Sequence, residues 1–292
     1  VWRLACALAA VWVVSVGRAS TFEARDDRGH TLRLAQPAAR IVALAPHLTE
    51  IAFAAGVGGK LIAVSAYSDY PPAARRLPQV GDGARVDIER ILTLKPDLVL
   101  AWRSGNQVGD IARLERLNIP VWLTEPSRLT DIARLLRGVA KLAGAAQSGE
   151  RAAAQFENEL QGLRHDSAGL GPPPRVFYEI WREPLITVSR DHLISDAIRW
   201  CGGVNVFETV ATLTPSVTYE AVLAARPQLV LGGASAGGEA AFLASWRNVP
   251  LTGLRELPAR FVAPHAIQRA SPRITGGVRA ICEAIAQVRR PA

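Results

Sequence analysis

No Walker A run, no nucleophile elbow and no His-Glu-x-x-His occurs in these 292 residues. The commonest motif-bearing hydrolytic and phosphoryl-transfer chemistries thus have no support, although missing motifs do not exclude an enzyme. Gly56-Val57-Gly58-Gly59 is not a dinucleotide fingerprint, because it follows a helical pattern rather than a strand. Ser189-Arg190-Asp191-His192 holds the residue types of a catalytic triad, but as sequence neighbours, whereas a triad is a spatial arrangement. Lysine is scarce: Lys60, Lys95 and Lys141 account for 3 of 34 basic residues, leaving 34 − 3 = 31 arginines. With no basic run interleaved with aromatics, the net charge of +8 reads as compositional bias rather than a nucleic-acid surface. It would still help to attract an anionic partner. Methionine is absent, and Val1 is consistent with an alternative start codon.

What is present is a chain that is 49% hydrophobic and long enough for one large core or two smaller ones. Arg3, the apolar run 4–16 and Val16-Gly17-Arg18-Ala19 read as a signal peptide over residues 1–19. The run is too short for a comfortable membrane span, so stable membrane insertion is not expected. Cys6 lies too near the start for lipid anchoring. Cleavage would remove Arg3 and Arg18 and no acid, leaving 8 − 2 = 6 positive charges on an exported protein. It would also leave Cys201 and Cys282. An oxidising compartment favours a disulfide between them, the alternative being two buried thiols. Such a bridge would be worth about 4.5 kcal/mol in the chain-entropy model.

One pattern occurs twice. Val86-Asp87-Ile88-Glu89 opens a stretch ending Lys95-Pro96-Asp97-Leu98-Val99-Leu100, and Val217-Thr218-Tyr219-Glu220 opens one ending Arg226-Pro227-Gln228-Leu229-Val230-Leu231. The offset is 217 − 86 = 131 residues without a gap. Two distant copies imply two similar lobes rather than a solenoid. Each copy reads as an N-capped helix, with Asp87 or Thr218 as cap, stopped by proline and followed by a buried parallel strand. Glu89 and Glu220 fall at matching places in the first helical turn. An acid there suits the helix dipole, worth roughly 0.3–1 kcal/mol. The sharper reading is one exposed carboxylate per lobe, presented to a partner.

Along the chain, residues 21–34 read as a β-hairpin within a segment 20–37. Strands are expected at 41–44, 61–64, 98–101 and 120–123, with helices at 49–55, 111–117 and 132–142 between and after them. This alternation specifies a parallel, doubly wound α/β lobe over 38–143. Residues 148–164 read as one long, stiff helix within a connecting segment 144–168, broken by Gly169-Leu170-Gly171-Pro172-Pro173-Pro174. The second lobe, 169–292, has expected strands or extended pieces at 175–180, 185–188, 229–231 and 261–263. Its expected helices lie at 193–200 and from Pro272 onward, and 232–238 reads as a glycine-rich loop.

In open α/β sheets ligands sit beyond the carboxyl ends of the strands. The residues there are His47, Tyr67, Trp102, Trp181 and the run His265, Ala266, Ile267, Gln268, Arg269. Aromatics are only 6% of the chain, yet Tyr or Trp stands at three of these five ends. Large rings cover a flat ligand at low entropic cost, although a Trp closing a strand also simply plugs a core edge. Arg269 would meet a phosphate, an amide oxygen or a carboxylate. A lone His after a strand, such as His47, is more often a hydrogen-bonded loop residue than a metal ligand. No metal site is expected.

These residues resemble a known family. Ser65-Ala66-Tyr67-Ser68-Asp69-Tyr70-Pro71-Pro72, Leu94-Lys95-Pro96-Asp97-Leu98-Val99, Ala101-Trp102-Arg103, Cys201-Gly202-Gly203-Val204-Asn205-Val206-Phe207 and Arg269-Ala270-Ser271-Pro272-Arg273-Ile274 look like the periplasmic cobalamin-binding proteins that feed an ABC importer. The resemblance covers roughly residues 38–288, in the same order. It implies two Rossmann-like lobes with parallel sheets, joined by a long rigid helix, and no catalysed reaction. It implies a cleft lined by Tyr67, Trp102 and His265 to Arg269, docking of Glu89 and Glu220 on a dimeric membrane permease, and a Cys201–Cys282 disulfide. It also implies a monomer in a Gram-negative periplasm with cobalamin, or a related corrinoid, as ligand rather than cofactor. The chain departs from the family at Gly83, Ile186 and Thr214, where further aromatics are expected, and Tyr178 with Trp181 would compensate. Haem or a ferric siderophore is the alternative ligand. A metal chelatase-like enzyme on the same fold is the alternative of another class, resting on His47 and His265. An interaction module is disfavoured by the strand-end aromatics.

Overall fold

The computed structural model describes residues 22–166, 172–233 and 237–289. The signal segment 1–19, part of the Gly-Pro break and the middle of the glycine-rich loop lie outside them. The chain opens with an antiparallel hairpin of β1 (Phe22–Arg25) and β2 (Thr31–Leu34). The first lobe follows as β3 (Ile41–Ala43), α1 (Pro46–Ala54), β4 (Leu61–Val64), α2 (Ile88–Leu94), β5 (Leu98–Trp102), α3 (Val108–Arg116), β6 (Val121–Thr124) and α4 (Leu129–Leu142). The helix α5 (Ala146–Asp166), 21 residues long, leads away from it.

The second lobe holds β7 (Arg175–Glu179), α6 (Leu193–Trp200), β8 (Val204–Asn205), α7 (Tyr219–Ala224) and β9 (Leu229–Gly232). It closes with α8 (Gly238–Arg247), α9 (Thr252–Arg255), β10 (Ala259–Phe261), α10 (Pro264–Ile267) and α11 (Ile274–Arg289). Each lobe has a four-stranded parallel sheet, ordered β4-β3-β5-β6 in the first and β10-β9-β7-β8 in the second. The fold is therefore two α/β lobes.

The repeat is structural as well as sequential. The Asp87 carboxylate accepts the Arg90 N–H at 3.0 Å, and the Thr218 hydroxyl accepts the Ala221 N–H at 3.2 Å. Both helices then stop in the same way. Lys95 and Arg226, 131 residues apart, carry φ of 48° and 47°, the left-handed turn that ends a helix ahead of its proline. The strands that follow are buried along their length, as two-sided parallel strands must be.

Several expected boundaries move. The helix expected from Thr49 starts at Pro46, since proline is pre-set for a first helical position. His47 consequently sits in a helical turn rather than a loop. The extended piece at 185–188 joins no strand; Ile186 alone bridges Trp181 and Ser216. The strand expected at 261–263 lies at Ala259–Phe261, the last helix starts at Ile274, and α8 takes over at Gly238 where a loop is expected. Tyr178 does not reach the cleft: it is fully buried inside β7, its hydroxyl without a partner.

Each lobe has an apolar cluster of its own, and a third is shared between them. A single cluster runs from Ile41 and Leu98 through Leu136 of α4 and Phe156 of α5 to Val176, Leu229 and Val278. The Trp200 indole donates to the Leu160 carbonyl at 2.9 Å, and the Leu129 N–H donates to Asp196 at 2.8 Å. Such packing opposes large independent lobe motion. Cys201, at the end of α6, and Cys282 of α11 form the expected disulfide.

Candidate functional site

A cavity of ≈470 Å³ opens between the carboxyl ends of the two sheets. The first lobe contributes Pro46, His47, Trp102, Ser104 and Glu125, and the second contributes His192, Leu213, His265, Gln268 and Arg269 among others. Trp102, the last residue of β5, is fixed on every side. Its N–H donates to Asn106 at 2.8 Å, and Asn106 in turn donates to the Leu44 carbonyl at 3.0 Å. The indole N–H reaches Glu125 at 3.4 Å, and the ring meets the His47 ring edge-on at 5.1 Å. Gly105 is required beneath it: a Cβ there would fall 1.8 Å from the indole. A rigid aromatic wall is thereby held at the cleft before any ligand arrives.

Two of the three histidines in the wall, His47 and His192, are held well below the ordinary imidazole range. Burial pushes His47 down to about 4, against the pull of Glu50, and burial alone pushes His192 to about 4. The His192 Nδ1 accepts the Ile194 N–H at 3.1 Å and caps α6. The His47 Nε2 is buried without a partner, so it faces no open space. Among the described residues no three His, Cys, Asp or Glu side chains gather as a metal group. A metal-centred reaction at His47 and His265 thus finds no assembled ligand set there.

Arg269 meets carboxylates, but those of its own chain. Its guanidinium donates to Glu50 at 2.9 Å, to Asp69 at 2.5 Å and to the Tyr67 carbonyl at 3.1 Å. Glu50 lies on α1 in the first lobe and is almost wholly buried. It also accepts from the Ser271 hydroxyl at 2.6 Å and from Arg273 at 2.8 and 2.9 Å. Arg273 lies over the Tyr70 ring at 3.9 Å. This cluster stitches the lobes together along one flank of the cleft. No sequence pattern signals a partner 219 residues away.

The other expected site residues divide. His265, Ile267 and Gln268 line the cavity, while Ala266 does not. Tyr67 and Trp181 stand outside it and are 76% and 56% exposed. Tyr67 is beside the cleft through its carbonyl contact with Arg269. Trp181 is held by its indole N–H on the Glu183 carbonyl at 2.9 Å. Asp191, His192 and Leu213 line the cavity without having been expected there. The available signal was the start of α6 at Leu193: in parallel units, helix starts follow the carboxyl ends of strands.

Glu89 and Glu220 both lie in the first turns of α2 and α7. Glu89 is 80% exposed at its side chain and pairs with Arg113 at 3.1 Å. The Glu220 carboxyl is held low by its own backbone N–H and by Thr218.

Comparison with known proteins places this architecture. A family model described as periplasmic binding protein matches residues 41–246. The Vitamin B12-binding protein of Vibrio cholerae serotype O1 (strain ATCC 39541 / Classical Ogawa 395 / O395) is 36% identical over 246 residues, covering 84% of this chain and 88% of that protein. The crystal structure of periplasmic Vitamin B12 binding protein BtuF of Vibrio cholerae aligns with a TM-score of 0.80 at 35% identity, over 87% of this chain and 99% of the other. Periplasmic heme-binding protein RhuT from Roseiflexus sp. RS-1, in apo form, aligns with a TM-score of 0.72 at 27% identity, over 86% and 99%. The family match runs from β3 through the helix between the lobes and into α8 of the second, and the chain belongs to the periplasmic binding proteins.

Proposed function

We propose that this protein captures cobalamin, or a related corrinoid, in the cleft between its lobes and delivers it to an ABC importer in the periplasm. The observation that carries the reading is a cavity walled by both lobes, with the Trp102 indole fixed at its side. A corrinoid is large, with an apolar ring face and amides around its edge. Burial against Trp102 would supply affinity, while Gln268, Ser104 and His265 would orient the amides. Tyr67 and Trp181, exposed outside the cavity, would extend the apolar contact at its rim. No bond is made or broken.

The same reading divides the chain into a signal peptide (1–19), a hairpin segment (20–37), a first lobe (38–143), a connecting helix (144–168) and a second lobe (169–292). It has the protein act as a monomer, with Glu89 and Glu220 docking on a twofold permease, one acid per lobe. Among the described residues no helix is long and apolar enough to cross a membrane.

Calorimetric titration of the purified protein with cobalamin and, separately, with haem tests the ligand. The expected result is one site for cobalamin and no heat from haem; binding of haem alone would replace the reading with its alternative. Glu89→Ala with Glu220→Ala should leave that titration unchanged but abolish most stimulation of the importer's ATPase. Loss of ligand binding instead would put those acids at the cleft.

A further inference from the structure

A second cavity of ≈680 Å³ borders the first, and Glu125, Asp191 and Leu213 line both. Its walls carry Arg103, Arg128, Arg190 and Arg199 against three carboxylates, those of Glu125, Asp191 and Asp196. The formal charge is 4 − 3 = +1, but the carboxylates are not equally available. Glu125 accepts from the Ser104 N–H at 2.8 Å and hydroxyl at 2.9 Å, and has Arg103 at 3.8 Å. Asp196 accepts from the Leu129 N–H at 2.8 Å and pairs with Arg199 at 3.1 Å.

Arg128 and Arg190 are left over. Both side chains belong to exposed residues, and neither has an ion-pair partner among the described residues. The helices α4 and α6 also begin beside this cavity, with Leu129 and Leu193, so their positive poles add to the same field. An arginine-rich chain will show unpaired guanidiniums on any surface. These two, however, line a cavity that borders the ligand cavity, and of its three carboxylates only Asp191 is left without an ion pair among the described residues, so two free guanidiniums face one free carboxylate and positive charge is in excess.

We propose that this second cavity is an anion subsite, taking a phosphodiester or a carboxylate carried on the ligand's periphery. Arg128 and Arg190 are its main donors, with Arg103 and Arg199 setting the field. The inference rests on the corrinoid reading. It narrows the ligand class to corrinoids with an anionic arm, either a nucleotide-loop phosphodiester or a hydrolysed side-chain amide.

The test is calorimetry on the full chain and on Arg128→Gln/Arg190→Gln, at low and high salt. Three probes are used: cyanocobalamin, dicyanocobinamide, which lacks the phosphodiester, and a cyanocobalamin monocarboxylate. A preference for cobalamin over cobinamide that is lost in the double variant and weakened by salt identifies the phosphodiester, whereas one that persists in both reflects the rest of the nucleotide loop and overturns the subsite; a preference for the monocarboxylate over cobalamin that is lost in the same way identifies the carboxylate. We expect one preference of roughly 3- to 10-fold in the wild type, shrinking in high salt and in the double variant. If the corrinoids bind but all three do so equally in both proteins, the anion subsite is overturned. If none binds, the corrinoid reading falls first and takes the subsite with it.

Discussion

Replacing Glu50 with alanine should lower the unfolding free energy by about 3 kcal/mol, because a buried ion pair loses one partner and the other stays buried. The carboxylate receives Arg269, Arg273 and Ser271, all from the opposite lobe, within 2.9 Å. Both arginine side chains are partly wet, at 21% and 29% exposed, which puts the effect at the low end for buried pairs. Asp69 would still hold Arg269. Glu50→Gln should do less harm, since an amide oxygen still accepts one or two of these bonds. Chemical denaturation of the three proteins decides it. A loss under about 1 kcal/mol in Glu50→Ala would mean that the cluster is a surface contact rather than a seam between lobes.

The same cluster predicts an acid response. Burial pushes the Glu50 carboxyl up, but hydrogen bonds from Arg273, Ser271 and Arg269 outweigh it and hold it below its ordinary range. Arg269 holds Asp69 low as well. A depressed folded pKa contributes stability that is present above the unfolded value and lost as pH falls through the folded one. The wild type should therefore keep this contribution down to about pH 4 and lose it below. In Glu50→Gln the part of that acid slope due to Glu50 should vanish.

Removing the disulfide should act on a similar scale. The bridge spans 81 residues, and the chain-entropy model gives about 4.5 kcal/mol for freeing a loop of that length. It joins the end of α6 to α11, and both cysteines are buried in the shared core. Cys201→Ala with Cys282→Ala should therefore lower stability by about 3–4.5 kcal/mol and leave ligand affinity unchanged, because neither residue lines the cleft. Denaturant unfolding of the double variant and the reduced wild type should agree. A change below about 1 kcal/mol would show that residual structure already limits the unfolded chain without the bridge.

Local chemistry made much of this readable in advance. Asp87 and Thr218 announce helix starts, Pro96 and Pro227 their ends, and the 131-residue offset makes the two lobes visible before any contact is known. The expected positions of Trp102, His265 and Arg269 follow from the rule that sheets present ligands at their carboxyl ends. Other features had no local signature. Tyr178 lies in a strand buried on both faces, where alternation cannot say which way a ring points. Four-residue α10 is too short for a helical period to register. Glu50 reads as an ordinary helical acid, and only the folded chain brings Arg269 and Arg273 to it.

The central claim is that one corrinoid lies against both lobes at Trp102 and at the segment around α10. Hydrogen exchange of the full chain, with and without saturating cobalamin, tests this most directly. The account predicts slowed exchange at 102–106 in the first lobe and at 264–270 in the second, with 239–260, which contributes nothing to the cleft wall, unchanged. Protection confined to 239–260, or none at all, would contradict it.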